Sequence, residues 1–190
     1  MTDDANNAYG SGAENAPGAG YGPGAAFGAD LDGAKSPDDL SRPLYGATFG
    51  QAVRRFWKKF SVFSGRASRS EYWFAYLFQV LVLLVPYILV IVGTVMSTAT
   101  TASSSYSPYS TPTAEPSGPG VAIMIIGWIL LVILALAMVV PYLAISWRRL
   151  HDANLAGPFW FLTFIPGVGG LIVLVLMILP SKPEGRRFDT

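Results

Sequence analysis

The hydrophobic pattern changes at residue 72. Downstream lie three long apolar runs: Tyr72 to about Met96, Val121 to about Trp147, and Phe159 to Leu179. Each meets the requirement of roughly 20 apolar residues for a helix that crosses hydrocarbon. Runs of this length are far longer than the buried strands of a soluble sheet, which span about 4–8 residues. Between Tyr72 and Trp147 the only Asp, Glu, Lys, Arg or His is Glu115, and Gln79 is the one strongly polar side chain of the first run. Pro86 and Pro141 fall inside the first two runs. Each removes a helical hydrogen bond, which predicts a kink. The third run is interrupted by Ile165-Pro-Gly-Val-Gly-Gly170, a turn sequence. Its total length fits a complete third span, and that is the expectation. A re-entrant hairpin or a split pair of helices is the alternative, because Lys182, Arg186 and Arg187 at its end resist export.

Upstream, residues 48–63 carry a different pattern. Phe49, Ala52, Val53, Phe56, Trp57, Phe60 and Phe63 recur at helical spacing, with Arg54, Arg55, Lys58 and Lys59 on the opposite side. This predicts a basic amphipathic helix within 47–66 that lies in the membrane interface, its four cations on the anionic lipid surface. Residues 1–46 are rich in Gly, Ala, Pro, Asn and Asp, with recurring aromatic-Gly dipeptides such as Tyr9-Gly10 and Tyr21-Gly22. Such a segment buries too little apolar surface to offset its ordering entropy, so a disordered tail is expected. With Asp3 and Asp4 after the start and no apolar core, it does not read as a signal peptide. The membrane domain is then 67–190.

The two regimes meet at Phe63-Ser-Gly-Arg-Ala-Ser-Arg-Ser-Glu-Tyr-Trp-Phe74. Ser68-Arg-Ser-Glu71 has the S-x-x-E form of a capping box. Glu71 would also meet the positive end of the helix dipole. Gly65 permits a tight bend before the cap. Tyr72 and Trp73 suit the water boundary.

Charge then orients the helices. The loop 97–120 is Ser/Thr/Pro-rich and contains no Lys or Arg, whereas the next loop holds Arg148, Arg149 and His151. By the positive-inside rule the N-terminus and the Arg148 loop are cytoplasmic and the Ser/Thr/Pro loop is outside. Charged residues make up 13% of the 190, well below the roughly 25% of soluble domains. A net charge of +1 points to no nucleic-acid partner. With no cysteine, disulfides, thiolate catalysis and Cys-ligated metals are excluded.

Candidate chemistry concentrates at one membrane face, where Arg66, Arg69, Glu71, Arg148, Arg149, His151 and Asp152 should gather. Arg148 and Asp152 are four apart, so a helical ion pair is available. Glu71 is expected to pair with Arg148 or Arg149. Arginines as helix-end anchors, neutralised by the two carboxylates, explain the cluster structurally. A cationic pocket for a lipid headgroup or phosphorylated ligand is the functional alternative. His151 and Asp152 lack a nucleophile or metal set, so no enzyme, no metal and no cofactor are expected. Gly93 and Ser97 form a small-x-x-x-small pair, a weak dimerisation signal.

Phe63-Ser-Gly-Arg-Ala-Ser-Arg-Ser-Glu-Tyr-Trp73, Arg148-Arg-Leu-His-Asp152 and Ile165-Pro-x-x-Gly169 closely resemble the small bacterial inner-membrane family called domain of unknown function 805, over about residues 50–188. The ending departs from the family pattern, similar to Gly-x-x-Gly-x-Asn-Arg-Tyr-Gly, and reads Pro183-Glu-Gly-Arg-Arg-Phe188. The resemblance implies a multi-helix protein of the bacterial inner membrane and supplies no activity. The expected architecture is an all-α integral membrane protein: a disordered tail, an interfacial helix and three hydrophobic segments. The expected role is a non-enzymatic module that binds a protein partner or anionic lipid at its cytoplasmic rim. The alternatives are a small oligomeric transporter or channel subunit and, ranked below it, a membrane-embedded enzyme using His151 and Asp152.

Overall fold

A computed structural model describes residues 31–104 and 118–189, with side chains from 99 to 104 excepted. The tail at 1–30 and most of the Ser/Thr/Pro loop lie outside the described residues. The protein is an all-α integral membrane protein. In chain order come α1 (Phe49–Lys58), α2 (Arg69–Ser104), α3 (Pro119–Asp152), a 3-10 helix (Gly157–Phe164), α4 (Gly169–Ile178) and a second 3-10 helix (Pro183–Phe188).

Two helices are long and apolar enough to cross a membrane, Arg69–Thr98 of α2 and the whole of α3, Pro119–Asp152. Only 22% and 11% of their apolar windows are buried within the protein. The Val, Ile and Leu side chains that remain, such as Val85, Val95, Ile133 and Leu136, are exposed and need a hydrocarbon solvent. Both helices continue through Pro86 and Pro141, whose side chains are fully buried.

α2 and α3 pack directly on each other. A Cβ on Gly93 would stand 2.4 Å from the Met124 backbone N, and one on Gly120 would stand 2.5 Å from the Ser97 N. Gly93 and Ser97 therefore serve close approach of two helices of one chain. No second copy is needed to explain them. Van der Waals contact between backbones is the force available, since lipid offers no hydrophobic drive to helix association.

The third segment folds as a hairpin. At the end of α3, Asn154 takes φ 63°, a left-handed conformation that Asn tolerates, and turns the chain. The 3-10 helix follows, then a turn at Gly167 with φ 82°, then α4. With 10 residues, α4 is about 15 Å long, half of the roughly 30 Å hydrocarbon core. Arg149 Nε donates to the Met177 carbonyl at 3.1 Å, and Lys182 N donates to the Asp152 carbonyl at 2.8 Å. The segment thus returns to the end of α3 from which it left. This corrects the expected complete span: the Pro166-Gly167 turn splits the run into halves too short to cross, and the hairpin carries Lys182, Arg186 and Arg187 back.

Two boundaries upstream are also corrected. Residues 31–46 pack against the membrane domain, with Pro43 and Leu44 buried. The amphipathic helix is Phe49–Lys58, shorter than 47–66, and Gln51 Oε1 accepts from Thr48 N at 2.9 Å at its start. Its Ala52 and Phe56 are buried, and Phe56 stands edge-on to Phe78 of α2 at 6.1 Å between centroids. Burial of a Phe side chain stabilises by about 1.5–3 kcal/mol, so α1 is docked on α2 by its apolar face.

Candidate functional site

The rim forms where four pieces of chain meet: the strap 31–47 with α1, the linker 59–68, the joined ends of α2 and α3, and the tail 181–189. The capping box sits at its centre. Ser68 Oγ accepts from Glu71 N at 3.2 Å, and Glu71 Oε2 accepts from Ser68 N at 2.9 Å. The same Oε2 accepts from Leu44 N at 3.1 Å, and Ser68 Oγ donates to the Leu44 carbonyl at 2.6 Å. One cap therefore closes the helix and fastens the strap.

The partner of Glu71 is Arg55 of α1, whose Nε donates to Oε1. Arg55 is 3% exposed, and its Nη1 donates to the Pro37 and Asp39 carbonyls at 3.1 and 2.6 Å. Two expectations are corrected here. Glu71 does not pair with Arg148 or Arg149, because α1 folds across the start of α2 and reaches it first. Nor do Arg55 and Lys59 lie on a lipid surface, since both are buried and Lys59 Nζ donates to the Leu40 carbonyl at 2.7 Å. Burial, followed by the nearby charge of Arg148, pushes the Lys59 ammonium down to about 8. Arg54 and Lys58 remain exposed, beside Asp38 at 2.8 and 3.9 Å. Arg69 is exposed as well.

Asp152 is the second hub. It accepts from Arg149 Nη1 at 2.8 Å, from Tyr45 Oη at 2.8 Å and from Ser181 Oγ, and is fully buried. The helical ion pair thus forms at spacing three, with Arg149 in place of the expected Arg148. Burial and the Asp152 charge raise the Tyr45 phenol, so it stays a donor. Arg149 also donates to the Leu179 carbonyl, so each of its three guanidinium nitrogens has a partner, two of them in the hairpin.

The tail closes the remaining side. Arg66 Nη2 meets Asp189 Oδ2 at 2.6 Å and its Nε meets both carboxylate oxygens at 3.0 Å. Gly65, at φ 79°, donates its N–H to the Phe188 carbonyl at 2.8 Å. Its own carbonyl accepts from His151 Nδ1 at 3.0 Å, and the His151 ring stacks on Phe188 at 4.0 Å and 4°. Six of the seven expected rim residues are therefore brought together, and Arg69 faces outward.

Arg148 stands apart. It is 2% exposed, and its Nε and Nη1 have no hydrogen-bond partner. The sequence reading missed Leu44, Tyr45, Ser181 and Asp189 as members of the site. One signal for the strap exists: Leu31, Lys35, Leu40 and Arg42 are the first leucines and cations of the chain. A cavity of about 200 Å³ lies between α2, α3 and the hairpin, lined by Tyr72, Trp73, Tyr142 and Trp160 among others. Tyr72 and Tyr142 hydroxyls are 3.2 Å apart at its wall. No group of three metal-ligating side chains occurs among the described residues.

The family described as protein of unknown function (DUF805) matches over residues 60–190. Inner membrane protein YhaI of Escherichia coli strain K12 is 28% identical over 131 residues, 69% of this chain and 86% of its own length. The protein of the same name from Escherichia coli O157:H7 gives the same figures. No solved structure matches. The family match takes in the capped linker, α2, α3, the hairpin and the tail. The strap and α1, which supply Tyr45 and Arg55, precede it, as does Lys59 at the start of the linker.

Proposed function

The chain belongs to the DUF805 family, and from that membership and the rim we propose a multi-pass protein of the bacterial inner membrane, N-terminus in the cytoplasm, that acts as a non-enzymatic module binding anionic lipid at its cytoplasmic rim. The name of the Escherichia coli relatives supports the location. The positive-inside asymmetry supports the orientation. The observation that carries the reading is the gathering of both flanks of the membrane domain at one end, which leaves Arg54, Lys58, Arg69 and Lys182 exposed around a fixed scaffold. Cations held near an anionic leaflet contribute roughly 1 kcal/mol each. His151 and Asp152 are engaged by Gly65, Phe188, Arg149, Tyr45 and Ser181, which supports a structural use for both over a catalytic one.

The test uses the purified full chain in neutral detergent at fixed chloride. Added phosphatidylglycerol should raise Tm more than the same amount of phosphatidylcholine, and the difference should shrink as salt rises. Replacement of Arg54, Lys58, Arg69 and Lys182 by Gln should abolish the difference while changing the lipid-free Tm little, since the Asp38 pairs are exposed. Equal shifts with the two lipids in the unsubstituted protein would reject lipid-charge recognition.

A further inference from the structure

Inside the rim, between α1, the linker and the ends of α2 and α3, lies a void of about 10 Å³. Its wall includes Arg55, Lys59, Arg66, Arg148, Glu71 and Phe56. Four of these are cations and one is a carboxylate. The carboxylate is already committed: Glu71 holds Arg55 and accepts from two backbone N–H groups. Arg66 is matched by Asp189, and Asp152 by Arg149. What remains is Lys59, bonded to one neutral carbonyl, and Arg148, with two N–H-bearing atoms that donate to nothing. Arginine does not escape this by losing its proton. A buried guanidinium whose nearest carboxylate, Glu71, is already paired with Arg55 is costly, and a buried unsatisfied group in a folded protein calls for a missing partner.

We propose that this void holds one small inorganic monovalent anion of halide size, bound between the Arg148 guanidinium and the Lys59 ammonium. The charge argues for an anion: a water would accept from Arg148 but leave the two positive charges uncancelled. The size restricts the occupant to a monatomic ion, because about 10–15 Å³ is the room one water needs; a halide, somewhat larger than water, enters as the flexible Arg148 and Lys59 side chains give way. A phosphate group, with four oxygens, would require several times that space. The ion would join the linker just after α1 to α3 where no carboxylate does so. The site is interior, so it is independent of the lipid binding assigned to the exposed cations.

The experiment is thermal unfolding of the full chain in neutral detergent without added lipid. Sodium chloride replaces sodium gluconate stepwise at constant ionic strength, so that screening stays fixed. Tm should rise by a few degrees and saturate, as mass action requires of a site filled only in the folded state. Bromide should do the same, and gluconate, too large to enter, should not. Arg148→Met should give a flat response, with a Tm in gluconate at or above that of the unsubstituted protein, because the uncancelled charge is gone. The chloride NMR line should be broadened by the unsubstituted protein and sharpened again by added bromide. If Arg148→Met does not fold, Lys59→Met carries the same test and should lose most of the chloride response. A flat response in the unsubstituted protein would mean a void filled by water and would overturn the proposal. So would an undiminished chloride response in the substituted protein, which marks a general solvent effect.

Discussion

Asp152→Ala is expected to destabilise the protein by about 3–5 kcal/mol, the range for removing one member of a buried ion pair while the other stays charged. Arg149, fully buried, would keep its bonds to the Met177 and Leu179 carbonyls and lose its only carboxylate. Tyr45 and Ser181 would each lose their acceptor. These three partners come from α3, the strap and the tail, so the substitution acts on all of them together. In detergent, Tm should fall steeply, and limited proteolysis should cut the tail between residues 181 and 189 well below the unfolding temperature. Asp38→Ala, which removes only exposed pairs with Arg54 and Lys58, should cost about 0–1 kcal/mol. Equal effects of the two substitutions would mean that the Asp152 hub does not hold the rim.

Glu71→Ala is expected to be of similar size. It leaves Arg55 buried and unpaired, which costs about 3–5 kcal/mol. It also deprives Ser68 N and Leu44 N of their acceptor, a loss of capping of about 0.5–2 kcal/mol. The two terms overlap and do not simply add. The informative comparison is the double substitution. In an Arg55→Met background the charge left behind is gone, so Glu71→Ala should cost markedly less than in the native background. An Arg149→Met background should leave its cost unchanged, since Arg149 faces Asp152 and the hairpin. Full additivity with Arg55→Met in Tm measurements would reject the pair.

Local chemistry was legible in the sequence where it depended on neighbours along the chain. The capping box at Ser68 and Glu71 needs only a three-residue spacing, and the bend at Gly65 needs only the absence of a Cβ. The two spans follow from runs of apolar residues that no water-facing helix would carry. What depended on the return of distant segments was not legible. Glu71 has several arginines within reach on paper, and only the docking of Phe56 on Phe78 decides that Arg55 is the one. Amphipathicity gave α1 a basic side correctly. It did not distinguish cations left exposed beside Asp38, Arg54 and Lys58, from cations that the strap covers, Arg55 and Lys59. The strap itself was hidden by composition, because residues 31–46 share the Gly, Asp and Pro of the preceding tail. The third apolar run was long enough to span, and its turn residues, Pro166 and Gly167, outweighed its length.

The hairpin returns the tail to the strap and the end of α3, which puts all three on one side of the membrane in the proposed topology. Since the chain has no cysteine, single-cysteine variants report one position each. Cysteines at Ser104, Ala153 and Lys182 should be probed in intact cells with an impermeant thiol reagent, before and after permeabilisation. Labelling is expected at Ser104 in intact cells, with protection at both Ala153 and Lys182 until the membrane is opened. Labelling at Lys182 in intact cells, with Ala153 still protected, would mean that the third segment crosses and would contradict the rim.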